Sequence, residues 1–298
     1  MPSLLGIEAS TDMEAFEHSR RIRIRGAEST DALGQVICQS SVDFAAGDVE
    51  LRLSLRLTPE TIEPIFSGAA WAGTVLWRAA VRLVDAALLD EDCRGMSVVE
   101  LGCGLGVPAM VCAKRGARLV VLTEQENLVD LADRNIHRNF PPQQDEKTAA
   151  SQEDEKTASP PSENGGTAGN EESPFGAKKQ TSSPSVVARE LDWASRAQAT
   201  QLRREVLDGR PFDLILCCDC VYVPLYGDSW RALVDAIDNL AGPTSRVLIS
   251  VERRFVRGGT DGVDLFLAAM DDRRFHIAKD FPSEPPVEIY EFRRRPQR

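Results

Sequence analysis

Four acids stand where a side chain can do chemistry: Glu100, Glu124, Asp192 and Asp219 each lie within or at the end of a short apolar run. In an open α/β sheet the carboxyl ends of the strands face the crevice where ligands bind, so an acid there is placed to meet one. The first, Glu100, leads into Gly102, Gly104 and Gly106 within VVELGCGLGVPAM, Val98 to Met110. That stretch reads as a buried strand, a glycine turn and a helix start, with Pro108 where a first helical turn tolerates it. Such a turn offers free amides and the positive end of a helix dipole to a polar ligand, and the missing side chains let that ligand touch the backbone. A dinucleotide fingerprint would need its third glycine at Val107, so that ligand class is disfavoured.

The other acids extend the outline of a ligand. Glu124 ends the apolar run from Leu119, twenty residues beyond Gly104. This is the spacing at which a carboxylate reaches the ribose hydroxyls of a bound nucleoside. It could equally cap the helix expected from Gln125 to Asn139. Asp192, followed by Trp193, ends the run from Val186. The pair could serve an adenine, the acid accepting from its exocyclic amine and the indole forming an apolar wall, or Asp192 could cap a helix beginning near Ala194. Asp219 follows the run Phe212 to Cys218 and opens Asp-Cys-Val-Tyr222. At the end of a central strand it is the best candidate for chemistry, with a helix cap as the other account.

The elements that must position these residues alternate along the chain. Ile22 and Ile24 alternate with arginines in an expected edge strand, and residues 35–56 suggest a small hairpin. From Gly68 to Leu89 apolar residues recur at helical steps, with Trp77 on that stretch; a tryptophan there serves either the core or a cofactor. Strand and helix patterns then repeat through Val251, and the last two strand-like runs, from Phe275 and from Val287, lack an intervening helix, which signals an antiparallel end. Residues 1–59 form an N-terminal extension and 60–298 the main domain. Within it, 141–184 is rich in Glu, Ser, Thr, Pro and Gly and is expected to be a disordered insertion. The fold class is therefore α/β, a Rossmann-like, mostly parallel sheet with helices on both faces, a C-terminal antiparallel hairpin and a small N-terminal β extension.

Composition narrows the partners. The net charge of -11 argues against a general nucleic-acid binder and suits a basic protein substrate, although acidity also simply aids solubility. No apolar run reaches a membrane-spanning length, and the N-terminus lacks the pattern of a signal peptide. The seven cysteines are odd in number and scattered, which fits free thiols in a reducing compartment, the cytoplasm with the nucleus also open. Cys217 and Cys220 have a metal-like spacing without a second pair, so no metal is expected.

Several motifs carry a resemblance. The E-x-G-x-G-x-G loop resembles motif I of class I S-adenosylmethionine-dependent methyltransferases, and Gly73-Thr-Val-Leu-Trp77-Arg-Ala-Ala resembles the element that precedes it in one of their families. With Leu-Asp-Trp at 191–193, Asp-Cys-Val-Tyr at 219–222 and Val-Glu-Arg-Arg at 251–254, the order resembles the seven-β-strand protein-lysine methyltransferases, family 16 of the methyltransferase-like enzymes. The resemblance covers roughly residues 60–295 apart from the insertion. It implies a seven-stranded sheet, S-adenosyl-L-methionine as cofactor and methyl transfer to a lysine amine of a protein such as a chaperone, an elongation factor or an AAA ATPase. It further implies that Glu100 serves the methionine end of the cofactor, that Trp77 lies by it, that Asp219 orients the amine and that Tyr222 supplies an aromatic wall or an acceptor hydroxyl. Glu124 stands in place of a commoner Asp, and the insertion is atypical. Cys220 and Val221 replace the two prolines usual in nucleic-acid and glutamine amino-methylases, which weakens that alternative. A small-molecule or nucleic-acid methyltransferase and a catalytically silent cofactor-binding scaffold are the competing readings.

Overall fold

A computed structural model of the chain describes residues 22–30, 36–54, 69–141, 184–282 and 285–296. The insertion expected over 141–184 lies outside the described residues, its two end residues apart. At the N-terminal side, β1 (Ile22–Thr30), β2 (Val36–Ala46) and β3 (Val49–Ser54) form an antiparallel sheet in chain order. The β2–β3 hairpin turns through Gly47 and Asp48, with Gly47 at φ +60°. Strand β1 is an edge strand, as the alternating isoleucines and arginines suggest, with Ile22 buried and Arg23 exposed.

The stretch from Gly68 to Leu89, expected as one helix, is broken. A 3-10 turn at Ala69–Thr74 precedes α1 (Arg78–Leu83), which continues as a π-turn over Val84–Leu88. The physical reason is the glycine loop. A side chain at Gly104 would lie 3.1 Å from the carbonyl oxygen of Gly73, so this chain must lie flat against the loop before it can coil. Trp77 is extended at ψ 144°, and its indole N–H donates to Ala72 O at 2.8 Å, closing the turn before the helix.

The main sheet follows: β4 (Ser97–Leu101), α2 (Val107–Lys114), β5 (Leu119–Glu124), α3 (Glu126–Asn139), β6 (Ser185–Glu190), α4 (Arg196–Leu207), β7 (Phe212–Cys218), α5 (Val223–Tyr226), α6 (Ser229–Leu240), β8 (Ala241–Glu252), α7 (Val263–Asp272), β9 (Phe275–Asp280) and β10 (Val287–Arg294). Its seven strands run in the order β6-β5-β4-β7-β8-β10-β9. The first five are parallel, and β10 runs antiparallel to both β8 and β9, the ending expected from the missing helix. Strands β4 and β5 are buried at every position, because helices cover both faces.

Successive residues feed opposite layers. Val98, Val120, Leu122, Leu214 and Leu216 pack with α1, α2, α3 and the N-terminal sheet. Val99, Leu101, Val121, Ile215 and Cys217 pack with α4, α6 and α7. Each such buried aliphatic side chain contributes roughly 1.5–3 kcal/mol, which fixes the register because a one-residue slip would exchange the two layers. The N-terminal sheet is tied on by two asparagines one turn apart on α3. Asn135 Oδ1 accepts from Ser54 N at 2.6 Å, and Asn139 Oδ1 accepts from Arg52 N at 2.8 Å while its Nδ2 donates to Arg52 O at 2.9 Å. They satisfy the edge amides of β3 that no strand pairs. Among the described residues, no helix is long and apolar enough to cross a membrane.

Candidate active site

The parallel strands end together beside a cavity of about 650 Å³. One wall is the glycine loop between β4 and α2. Gly102 sits at φ +59°, and a Cβ there would lie 2.9 Å from both Trp193 Cζ2 and Cys220 Sγ. The loop thus needs glycine both for its backbone and to let neighbouring walls close in. Glu100, the last acid before it, is buried, and its Oε2 accepts from Ala109 N at 2.9 Å in the first turn of α2. Burial pushes its carboxyl up to about 8, against the opposing pull of the Ala109 amide. It lines the cavity beneath the loop.

Glu124, at the end of β5, is held by two amides. Oε1 accepts from Gly104 N at 2.8 Å and Oε2 from Gln125 N at 2.9 Å. Burial raises its carboxyl above the usual range, and these two donors lower it. The side chain lines the cavity and touches Gln125, which is itself the N-cap of α3. Asp192 and Trp193 also line the cavity, beyond the end of β6. Asp192 is exposed, and its Oδ1 accepts from Ala194 N at 2.9 Å; the cap of α4 is Ser195, whose hydroxyl accepts from Gln198 N at 3.3 Å. Asp192 therefore closes a short turn and leaves the helix cap to its neighbour.

Asp219 stands at the far side, on a left-handed residue at φ +55° just after β7. It does not cap α5, whose N-cap is Tyr222. Its carboxylate is almost wholly buried at 3% exposure and is held from two directions: Glu252 N donates to Oδ1 at 3.1 Å, and Arg254 donates Nη1 to Oδ1 at 2.9 Å and Nη2 to Oδ2 at 2.5 Å. The Arg254 guanidinium also lies 5.0 Å from the Tyr222 ring centre and 5.6 Å from that of Trp77.

Asp219 and Trp77 line the cavity with the glycine loop, Glu100, Glu124, Asp192 and Trp193. Tyr222 lies outside that lining, against Arg254. The tyrosine on the cavity wall is Tyr226, one turn on, with its phenol raised by burial. Sequence reasoning missed Tyr226 and Arg254. The Val-Glu-Arg-Arg motif held the second signal, since β8 lies beside β7 and brings residue 254 to Asp219.

The seven-stranded sheet with its antiparallel end is that of the class I S-adenosylmethionine-dependent methyltransferases, whose cofactor is S-adenosyl-L-methionine. The residues present fit that molecule: a glycine-rich cradle, a buried acid beside it and a cavity in the volume range of small-molecule sites. The chain belongs to the lysine methyltransferase family, whose model matches residues 66–153 and 173–272. It is 34% identical over 168 residues to Secreted RxLR effector protein 48 of Plasmopara viticola, covering 56% of this chain and 66% of that protein's length. It is 25% identical over 226 residues to Protein N-lysine methyltransferase METTL21A of Mus musculus, covering 75% of this chain and 78% of that protein. Among solved structures, the magnesium protoporphyrin IX methyltransferase of Synechocystis PCC 6803 with bound SAH is 17% identical, covers 72% of this chain and 80% of its own, and has a TM-score of 0.41.

Proposed function

We propose that the protein transfers a methyl group from S-adenosyl-L-methionine to the side-chain amine of a lysine in a protein substrate. The observation that carries this reading is the surroundings of Asp219, a buried carboxylate on the cavity wall whose partner cation, the Arg254 guanidinium, stands against the rings of Trp77 and Tyr222. An acid flanked by aromatic faces suits an ammonium group.

The cofactor supplies an electrophilic methyl group on a positively charged sulfur. Gly102, Gly104 and Gly106 would hold its amino-acid end along the loop, with Glu100 balancing the ammonium there. Glu124 would accept from the ribose hydroxyls, and Asp192 and Trp193 would flank the adenine. Asp219 would orient the acceptor amine, which gives its proton to solvent; its lone pair then takes the methyl as the carbon–sulfur bond breaks, and S-adenosylhomocysteine is the leaving group. Most of the rate then comes from alignment and exclusion of water, which needs no covalent enzyme intermediate. The free thiols among the described cysteines, all buried, support a reducing compartment such as the cytoplasm.

The test is incubation with methyl-labelled cofactor and a cell extract. Label is expected in a protein band, on lysine after hydrolysis, and is expected to vanish with Asp219→Ala while S-adenosylhomocysteine still binds. Label in nucleic acid or in small metabolites overturns the reading.

A further inference from the structure

The cation in the cage is the chain's own. Arg254 presents two nitrogens to the two oxygens of Asp219, lies 3.5 Å from Glu252 Oε2 and stands against the faces of Tyr222 and Trp77. Two acids and two aromatic rings therefore enclose a single guanidinium, and both oxygens of the acid expected to receive a substrate amine are taken. We propose that Arg254 occupies the place of the substrate's ammonium in the free protein, and that the acceptor amine enters by displacing it. This rests on the lysine reading above and names the residue that gates that site.

The charge balance favours exchange over simple opening. If Arg254 left alone, the Asp219 carboxylate would remain buried without a cation, a state that costs several kcal/mol. An entering ammonium restores the lost charge, so one cation replaces another at little electrostatic cost. A neutral molecule of the same size restores nothing. Arg254 thereby makes the site select for cationic side chains. The Arg254 side chain is 21% exposed and belongs to the loop after β8, outside the sheet.

The inference is tested by titrating n-butylammonium chloride against tryptophan fluorescence, with n-butanol and potassium chloride as controls. The proteins are the wild type, Arg254→Ala and Arg254→Gln, each first checked for a thermal shift with S-adenosylhomocysteine. The glutamine variant keeps a donor for Asp219 but carries no charge. Both variants are expected to bind n-butylammonium about tenfold more tightly than the wild type, the scale of a partly desolvated cation–π contact. The signal is expected to disappear when Trp77→Phe is added. Equal affinities in all three proteins, binding of n-butanol as well as the ammonium, or loss of folding in both variants overturns the inference, the last because it would make Arg254 a structural clasp. The titration involves no methyl transfer. A cage that binds n-butylammonium in a protein that labels no lysine therefore counts against the lysine reading and leaves the occupancy of the cage by Arg254 standing.

Discussion

The amide of Gly104 donates to Glu124 Oε1 at 2.8 Å, so the glycine loop itself sets the orientation of the acid at the end of the neighbouring strand. The loop and the acid are one device: a ligand lying on the loop meets a carboxylate whose rotamer is already fixed. Glu124→Ala is expected to weaken S-adenosylhomocysteine by one to two orders of magnitude in calorimetric titration, about 1.5–3 kcal/mol for lost hydrogen bonds to a charged group. Glu124→Gln keeps an acceptor oxygen and is expected to lose less. Unchanged binding in Glu124→Ala would remove the ribose role.

Glu100 gives the free protein a pH signature. Burial raises its carboxyl to about 8, whereas in the unfolded chain it ionises near 4.5. Between these values the folded state holds a proton that the unfolded state has released, so stability falls as pH rises through this window and levels off above it. The wild-type melting temperature is expected to fall from pH 5 to pH 8 more steeply than that of Glu100→Gln, which cannot ionise. The difference is expected to shrink when S-adenosylhomocysteine is bound, because an ammonium beside Glu100 favours its charged form. Parallel pH profiles for the two proteins would contradict this assignment.

Gly106 separates backbone strain from crowding. It sits at φ +77°, and a Cβ there would lie 2.2 Å from Leu122 Cδ2 in the core of the sheet. Gly209 has a similar φ of +81° with nothing within 4 Å. Gly209→Ala is expected to cost about 1–2 kcal/mol, the left-handed penalty alone. Gly106→Ala adds an overpacking cost of about 1–3 kcal/mol and displaces the loop. Urea denaturation of both variants measures the difference, and equal losses would mean that Leu122 yields freely.

What the sequence displays and what it conceals follow from the range of each interaction. The strands β4, β5 and β7 are legible because burial on both faces demands mostly apolar runs, and the antiparallel end because a missing helix is a local fact. The glycine loop is legible for the same reason. The break before α1 is not, since the helical period of residues 68–89 says nothing of the close approach between Gly73 and Gly104. The pairing of Arg254 with Asp219 spans 35 residues and exists only because the crossover through α5 and α6 sets β8 beside β7. Sequence pattern placed the acid at a strand end; the cation that covers it comes from tertiary structure.

The two tyrosines at the ends of α5, Tyr222 as its N-cap and Tyr226 as its last residue, offer the last test. Tyr222 closes the D-x-x-Y motif and faces Arg254, whereas Tyr226 lines the cavity, and burial raises its phenol so that it stays neutral throughout the physiological range. Their substitutions are expected to separate cofactor from acceptor. Tyr226→Ala removes a wall shared with the glycine loop and is expected to weaken S-adenosylhomocysteine by about tenfold, the scale of a lost aromatic contact. Tyr222→Ala is expected to leave that affinity within about twofold and instead to loosen the Arg254 cage, lowering methyl transfer through KM for the protein acceptor. Calorimetry with S-adenosylhomocysteine and steady-state methylation decide the matter. A loss of cofactor affinity confined to Tyr222→Ala would reverse the two roles and move the cofactor's edge to the motif tyrosine.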